Sequence, residues 1–90
     1  MATLAILKGD GNLLFAGDQV APVAYKLEIF RRGQLLDGGG TLSGASADLH
    51  SAMSADSCAL QLSDGRKVEI VITSLGRVAI FQTSGPLPYP

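Results

Sequence analysis

This chain has little of what most catalytic and metal-binding sites are built from. It contains one cysteine, one histidine and no tryptophan among 90 residues. A single cysteine excludes a disulfide within the chain and the four-cysteine zinc patterns. Charged residues make up only 17% of the sequence, and a net charge of −1 provides no overall positive field for nucleic acid or anionic lipid. No apolar run approaches the roughly 20 residues that span a bilayer, so we expect no membrane partner.

The length and composition allow one small domain with its own core. The hydrophobic share is 47%, and a chain of this size has room for a single core. We predict a single β-rich domain over residues 1–84 and an extended, proline-rich tail over residues 85–90, because proline cannot join a sheet interior. The N-terminal segment lacks the basic and long apolar parts of a signal peptide. We therefore expect a reduced, cytoplasmic protein.

The clearest structural signal is the alternation of apolar and polar residues between Cys58 and Ser84. Period-two alternation is typical of strands that bury one face. An Asp64-Gly65 pair interrupts it and suits the tight turn of a hairpin. We expect five apolar residues to face one core across this turn, namely Leu60, Leu62, Val68, Ile70 and Ile72.

The rest of the chain extends this pattern into a mainly β fold. Three glycines at 38–40 predict a bulge or a sharp bend in the fourth strand, and Gly9-Asp10-Gly11-Asn12 predicts a turn. We predict about six antiparallel strands curled into a small barrel or roll, with one short helix at about 46–54 between strands 4 and 5. The strand segments are 3–8, a doubtful 13–16, 20–32, 35–43, 58–62, 67–72 and 77–83.

The predicted helix is short and rich in alanine. Ser46 is a fair N-cap, and Asp48 lies in the first turn, where its charge suits the helix dipole. Leu49 and Met53 are four residues apart, so one helix face could dock on the sheet. The helix would then plug one end of the barrel or cover one face.

No catalytic, cofactor or metal constellation is predicted. His50 and Asp48 are two residues apart on the helix and point away from each other. Cys58 shares the core face of its strand with Leu60 and Leu62, where we expect it to be a small buried hydrophobic residue. The glycine-rich segment 38–44 precedes the helix and could cradle an anion, but it lacks the Lys-Ser/Thr of a phosphate-binding loop. We leave the anion site open and expect a protein that is not an enzyme.

Two interaction hypotheses remain. The first is a non-catalytic β module that binds a protein partner or further copies of itself through exposed apolar and turn residues. The second, less favoured, is binding of single-stranded nucleic acid through basic hairpin turns. Phe30 is the only aromatic residue on a predicted outer face near those turns that could stack a base. The predicted interaction surface consists of Phe30, Arg31, Arg32, Arg66, Lys67, Val71 and Arg77.

Overall fold

The computed structural model describes residues 2–85 and residue 87, which contain six antiparallel strands and one helix. The strands close into a barrel in the order β1-β2-β3-β6-β5-β4. The predicted mainly β, antiparallel barrel with one short helix is therefore confirmed. The elements are β1 (Ala2–Phe15), β2 (Gln19–Arg32), β3 (Leu35–Gly44), α1 (Ser46–Ser54), β4 (Cys58–Gln61), β5 (Lys67–Leu75) and β6 (Ala79–Thr83).

Apolar side chains fill the barrel, and none of the polar or charged residues that the structure describes is buried with them. The five residues predicted to face the core from β4, the following turn and β5 are all buried. Alternate residues of β2 point the same way, and Leu27 and Ile29 have no exposed surface. The period-two pattern thus assigned the inner face correctly along the most regular strands.

The first strand is longer than predicted, and the predicted turn at Gly9-Asp10-Gly11-Asn12 is wrong. Residues 2–15 form one strand that pairs with β2. The chain reverses instead at Ala16 and Gly17, which have positive φ angles of 52° and 84°. The helix therefore follows the third strand and not the fourth.

Gly9 and Gly11 serve close packing in this strand. A side chain at Gly11 would collide with the Gln61 carbonyl oxygen of β4, and one at Gly9 would press on the Tyr25 hydroxyl at 3.3 Å. Both glycines thus allow neighbouring parts of the barrel to approach β1 closely.

The glycine-rich part of β3 contains no bulge, contrary to expectation. Pairing with β2 runs from Val23–Gly44 to Arg32–Leu35 without a register shift. A Cβ atom at Gly40 would collide with the Lys26 carbonyl oxygen, and one at Gly39 would lie 2.8 Å from the Phe81 carbonyl oxygen. The glycines therefore allow close approach of both neighbouring strands. Register shifts occur elsewhere, at Leu4 between β1 and β2 and at Thr73 between β5 and β6.

Helix α1 closes the end of the barrel where β3 finishes and β4 begins, and it packs against β5 and β1. Its bounds match the prediction, but its details differ. The N-cap is Ala45 and makes no side-chain hydrogen bond, so Ser46 is the first helical residue. Leu49 and Ala52 are buried, whereas Met53 is 44% exposed. A helix of nine residues is too short to be stable alone, so the burial of these two side chains holds α1 on the barrel.

The last strand begins two residues later than predicted. The Gly76 N–H donates to the Val78 carbonyl oxygen within the preceding turn. Ala79 and Phe81 then face the core, while Ile80 points outward. After β6, the Ser84 N–H donates to the Glu69 carbonyl oxygen, and Leu87 packs against the core. The remainder of the predicted tail, residue 86 and residues 88–90, lies outside the described residues.

Candidate interaction surface

The predicted interaction residues lie in four separate places. Phe30, Arg31 and Arg32 end β2 beside the β2–β3 turn, whereas Arg66 ends the β4–β5 turn and Lys67 begins β5. Val71 points outward from the middle of β5. Arg77 follows β5 in the turn that leads to β6.

The basic turns do not meet. Lys67 and Arg77 lie at opposite ends of β5, whose nine residues span about 27 Å. The β4–β5 turn lies beside Tyr25, since the Ser63 N–H donates to the Tyr25 hydroxyl at 3.1 Å. Arg31 is six residues further along β2, or about 20 Å away. The topology therefore distributes the cations over the barrel.

Two of the arginines have carboxylate partners. The Arg66 Nε lies 2.6 Å from an Asp64 oxygen, and an Arg32 nitrogen lies 3.7 Å from Asp37. Arg32 also lies over the Phe30 ring, 5.9 Å from its centre. Hydrogen bonding from the Arg66 backbone N–H, with a further contribution from its guanidinium, lowers the pKa of Asp64. These pairs reduce the local positive charge at both turns.

An apolar patch lies on the outside of β5 and β6. Val71 is 53% exposed and Ile80 47%, and both lie at outward positions. Val71 pairs with Gln82, two residues from Ile80, so the two side chains are diagonal neighbours across the strands. Met53 of α1 and Val71 line the same narrow cleft between helix and sheet. We call Met53, Val71 and Ile80 the β5–β6 patch.

A groove of about 320 Å³ adjoins this patch. It opens because β4 pairs with β5 only from Gln61–Lys67 to Ala59–Glu69, after which the two strands separate. Its lining is mixed, with Glu69 as a carboxylate and Leu14, Ala59 and Val71 as apolar groups. Asp56 is a second carboxylate of the groove, so the patch and the groove form one continuous outer region that is apolar at the patch and mixed in the groove.

Cys58 and His50 are not assembled into a catalytic pair. Cys58 lines the groove and is half-buried, and that burial raises the pKa of its thiol. His50 instead lines a small cavity beside Arg77. A raised pKa favours the protonated thiol, which is the less nucleophilic form. Within residues 2–85 and residue 87, no three potential ligands cluster in a way that could hold a metal ion.

The first part of β1 presents a sheet edge that the sequence did not predict. Residues 2–15 pair with β2 on one side, but β4 pairs with β1 on the other side only at residues 12–15. In the part of the chain that the structure describes, no strand pairs with residues 3–8 on that second side. Ile6, near the middle of this stretch, points outward and is 49% exposed. We call residues 3–8 the β1 edge.

Comparison with known proteins gives no further assignment. No family model matches the chain, and neither a curated protein nor a solved structure matches it. A search of the described helices finds none with the length and apolar character required to cross a membrane.

Proposed function

We propose that this chain is a non-catalytic β module that acts by protein–protein contact, including contact with further copies of itself. The observation that carries the proposal is the β5–β6 patch, in which Val71, Ile80 and Met53 are each roughly half exposed. Isolated exposed apolar residues are normal on a protein surface, whereas adjoining ones are typical of contact sites.

The surroundings of the patch favour a protein partner. Val71 and Ile80 lie on paired strands, and Met53 adds an adaptable side chain from the helix. Among the residues that the structure describes, the charged ones that line the adjoining groove are Asp56 and Glu69. A mainly apolar centre with polar groups at its margin is the usual composition of a protein–protein interface.

Binding of single-stranded nucleic acid is supported less well. It would need a continuous basic groove with aromatic platforms, whereas the basic turns lie about 20 Å or more apart by strand length. The carboxylates of the groove would repel phosphate. An oligonucleotide that binds at low salt, and is displaced as salt rises, would favour this alternative over protein contact.

The test measures self-association and locates it. Light scattering and ¹⁵N–¹H spectra are recorded between about 10 and 500 μM, which covers weak and transient interfaces. We expect the mean mass to rise with concentration, and the amide signals of Val71 and Ile80 to shift. The double variant Val71→Lys/Ile80→Lys should remove those shifts, because it places two charges in the contact.

The matched control is Leu35→Lys, which changes a side chain that is 72% exposed beside the β2–β3 turn, away from the patch. It should leave the shifts of Val71 and Ile80 intact. A wild-type chain with constant mass and constant patch signals over the whole range would overturn self-association through this patch.

A further inference from the structure

The β1 edge has the chemistry of a strand-pairing site. An edge strand carries unpaired backbone N–H and C=O groups and is a template for another strand. Such edges are commonly protected by lysine, proline or a covering element. Residues 3–7 include neither lysine nor proline nor any charged residue, and Lys8 is the first charge. The β1 edge is therefore protected only by Lys8 at one end and by the register shift at Leu4.

We infer that the β1 edge pairs antiparallel with the β1 edge of a second copy of this chain, with the two copies of Ile6 facing each other across the two-fold axis. This contact is separate from the β5–β6 patch and does not depend on it. A two-fold axis normal to the sheet turns one strand into an antiparallel neighbour of itself, which is the isologous arrangement of most dimers.

The geometry of β1 selects the register. Residues that face each other across an antiparallel pair point to the same side of the sheet, so the axis must pass midway between the two copies of one residue. The β4–β5 turn lies beside Gly9, where a Cβ would be 3.4 Å from the Ser63 Oγ, so pairing cannot extend past Lys8. At the other end, the register shift at Leu4 disrupts regular pairing. The regular open stretch is thus Ala5 to Lys8.

Within that stretch, an axis through Ile6 suits the side chains. It places Ile6 against Ile6 of the second copy and Ala5 against its Leu7, and it leaves Lys8 facing the irregular position Leu4. No two like charges face each other, whereas an axis through Lys8 would bring two lysines together. An axis through Leu7 would drive Ala5 of the second copy against Gly9, where the β4–β5 turn lies.

A second copy is the occupant that this edge fits best. The pairing strand must be extended and must tolerate apolar contact on both faces, and β1 meets both conditions. Ile6 is exposed on the outer side, while Ala5 and Leu7 pack partly against the core. Pairing with β2 already holds β1 extended, so a second copy avoids the ordering entropy that a disordered peptide loses on binding.

The expected contact is weak, because a few paired residues bury less than a standard interface. A disulfide trap detects it. The test chain is Ile6→Cys with Cys58→Ala, which leaves one thiol, in the Val71→Lys/Ile80→Lys background that disables the patch. Facing residues of an antiparallel pair have Cα atoms about 4.5–5.5 Å apart, within the roughly 4.4–6.8 Å that a disulfide spans. Mild oxidation should convert most of the folded protein to a cross-linked dimer.

The matched control is Lys8→Cys with the same Cys58→Ala and Val71→Lys/Ile80→Lys substitutions. Lys8 is exposed on the same face of β1, but in this register it lies four residues, or about 13 Å, from its counterpart. The Lys8→Cys chain should cross-link at least tenfold more slowly than the Ile6→Cys chain, and both chains should cross-link equally in urea. Equal rates in the folded state would overturn the inference.

A measurement without an introduced cysteine separates this inference from the proposed patch contact. Two different contacts on one chain generate assemblies larger than dimers, whereas a single two-fold contact stops at dimers. The Val71→Lys/Ile80→Lys variant should therefore stop at dimers in light scattering. Adding Ile6→Lys should make it monomeric, and adding Ile6→Val should not. A chain that stays monomeric with the patch disabled would overturn the β1-edge dimer and leave the patch proposal standing.

Discussion

The Tyr25 hydroxyl accepts a hydrogen bond from the Ser63 backbone N–H at 3.1 Å, and this bond joins β2 to the β4–β5 turn. The Tyr25 ring passes Gly9, which has no side chain to block it. The Ser63 Oγ lies 3.3 Å from the same hydroxyl. This contact connects elements 38 residues apart in sequence, next to the place where β4 closes the barrel on β1.

Removing the hydroxyl should weaken the barrel measurably. Tyr25→Phe keeps the ring in its buried position but leaves the Ser63 N–H without its protein partner. We expect the free energy of unfolding to fall by about 1 kcal/mol, the usual net value of one such bond. Urea unfolding followed by circular dichroism measures the change. The control is Ser63→Ala, which retains the backbone donor and should cost less than about 0.5 kcal/mol. A larger loss in Ser63→Ala than in Tyr25→Phe would contradict this account.

A side chain at Gly40 should be poorly tolerated. The added Cβ would meet the Lys26 carbonyl oxygen of the neighbouring strand, and β2 and β3 would have to separate. Overpacking of this kind costs about 1–3 kcal/mol or more, so Gly40→Ala should lower the urea midpoint clearly or prevent folding. Gly76→Ala is the matched control, because its Cβ would have no neighbour nearer than 3.9 Å. We expect that change to stay within about 0.5 kcal/mol of wild type. Equal stabilities would show that β2 and β3 can separate freely.

The sequence predicts those parts of the fold that are set by residues close together in the chain, and it does not predict the parts that are set by distant pairing. The β4–β5 hairpin is predictable because alternation and an Asp-Gly turn lie within a few residues of each other. The long first strand is not, because Gly9-Asp10-Gly11-Asn12 has the composition of a turn. What keeps this stretch extended is its pairing with β2 and the close approach of Gln61, about 50 residues away in sequence. No local pattern carries that information.

The two candidate surfaces also differ in how far the nearby sequence predicts them. The outward direction of Val71 follows from the alternation along β5, and the sequence predicted Val71 as exposed, whereas the pattern of residues 77–83 does not decide between Ile80 and Phe81 as the outward residue. The β1 edge follows from how little of β1 is paired with β4, a strand of four residues. The β1 edge can therefore be recognised only when the strand pairing of the whole barrel is known. The separation of the basic turns likewise follows from strand lengths and closure order.

Asp64 should make stability depend on pH in the acid range. The fold lowers the pKa of this carboxyl, first through the Arg66 backbone N–H, which donates at 3.0 Å, so the folded state favours the charged form. The stabilisation is therefore complete above the unfolded-state pKa of about 3.9 and is lost as the pH falls through the lower, folded-state value. Asp64→Ala should be less stable than wild type at pH 7, and the difference should shrink below about pH 4. Urea unfolding at pH 7, 4 and 2.5 tests this, with Asp10→Ala on the outside of β1 as the control. A difference that persists unchanged at pH 2.5 would rule out the carboxylate as its source.

The Cys58 thiol should act in the opposite pH range. Burial raises its pKa in the folded chain, so folding favours the neutral thiol. Below the unfolded-state pKa of the thiol, its titration does not change the free energy of unfolding. As the pH rises from that value to the higher folded-state pKa, the free energy of unfolding declines. Alkylation by iodoacetamide, followed by mass spectrometry, should show a pH midpoint above that of the same chain in urea. Cys58→Ala should lose less stability than wild type between about pH 8 and pH 10, which separates this thiol from the tyrosines and lysines. If Cys58 instead alkylates at neutral pH as fast in the folded chain as in urea, the thiol is not shielded, and the groove beside Glu69 is more open to solvent than its half-buried cysteine indicates.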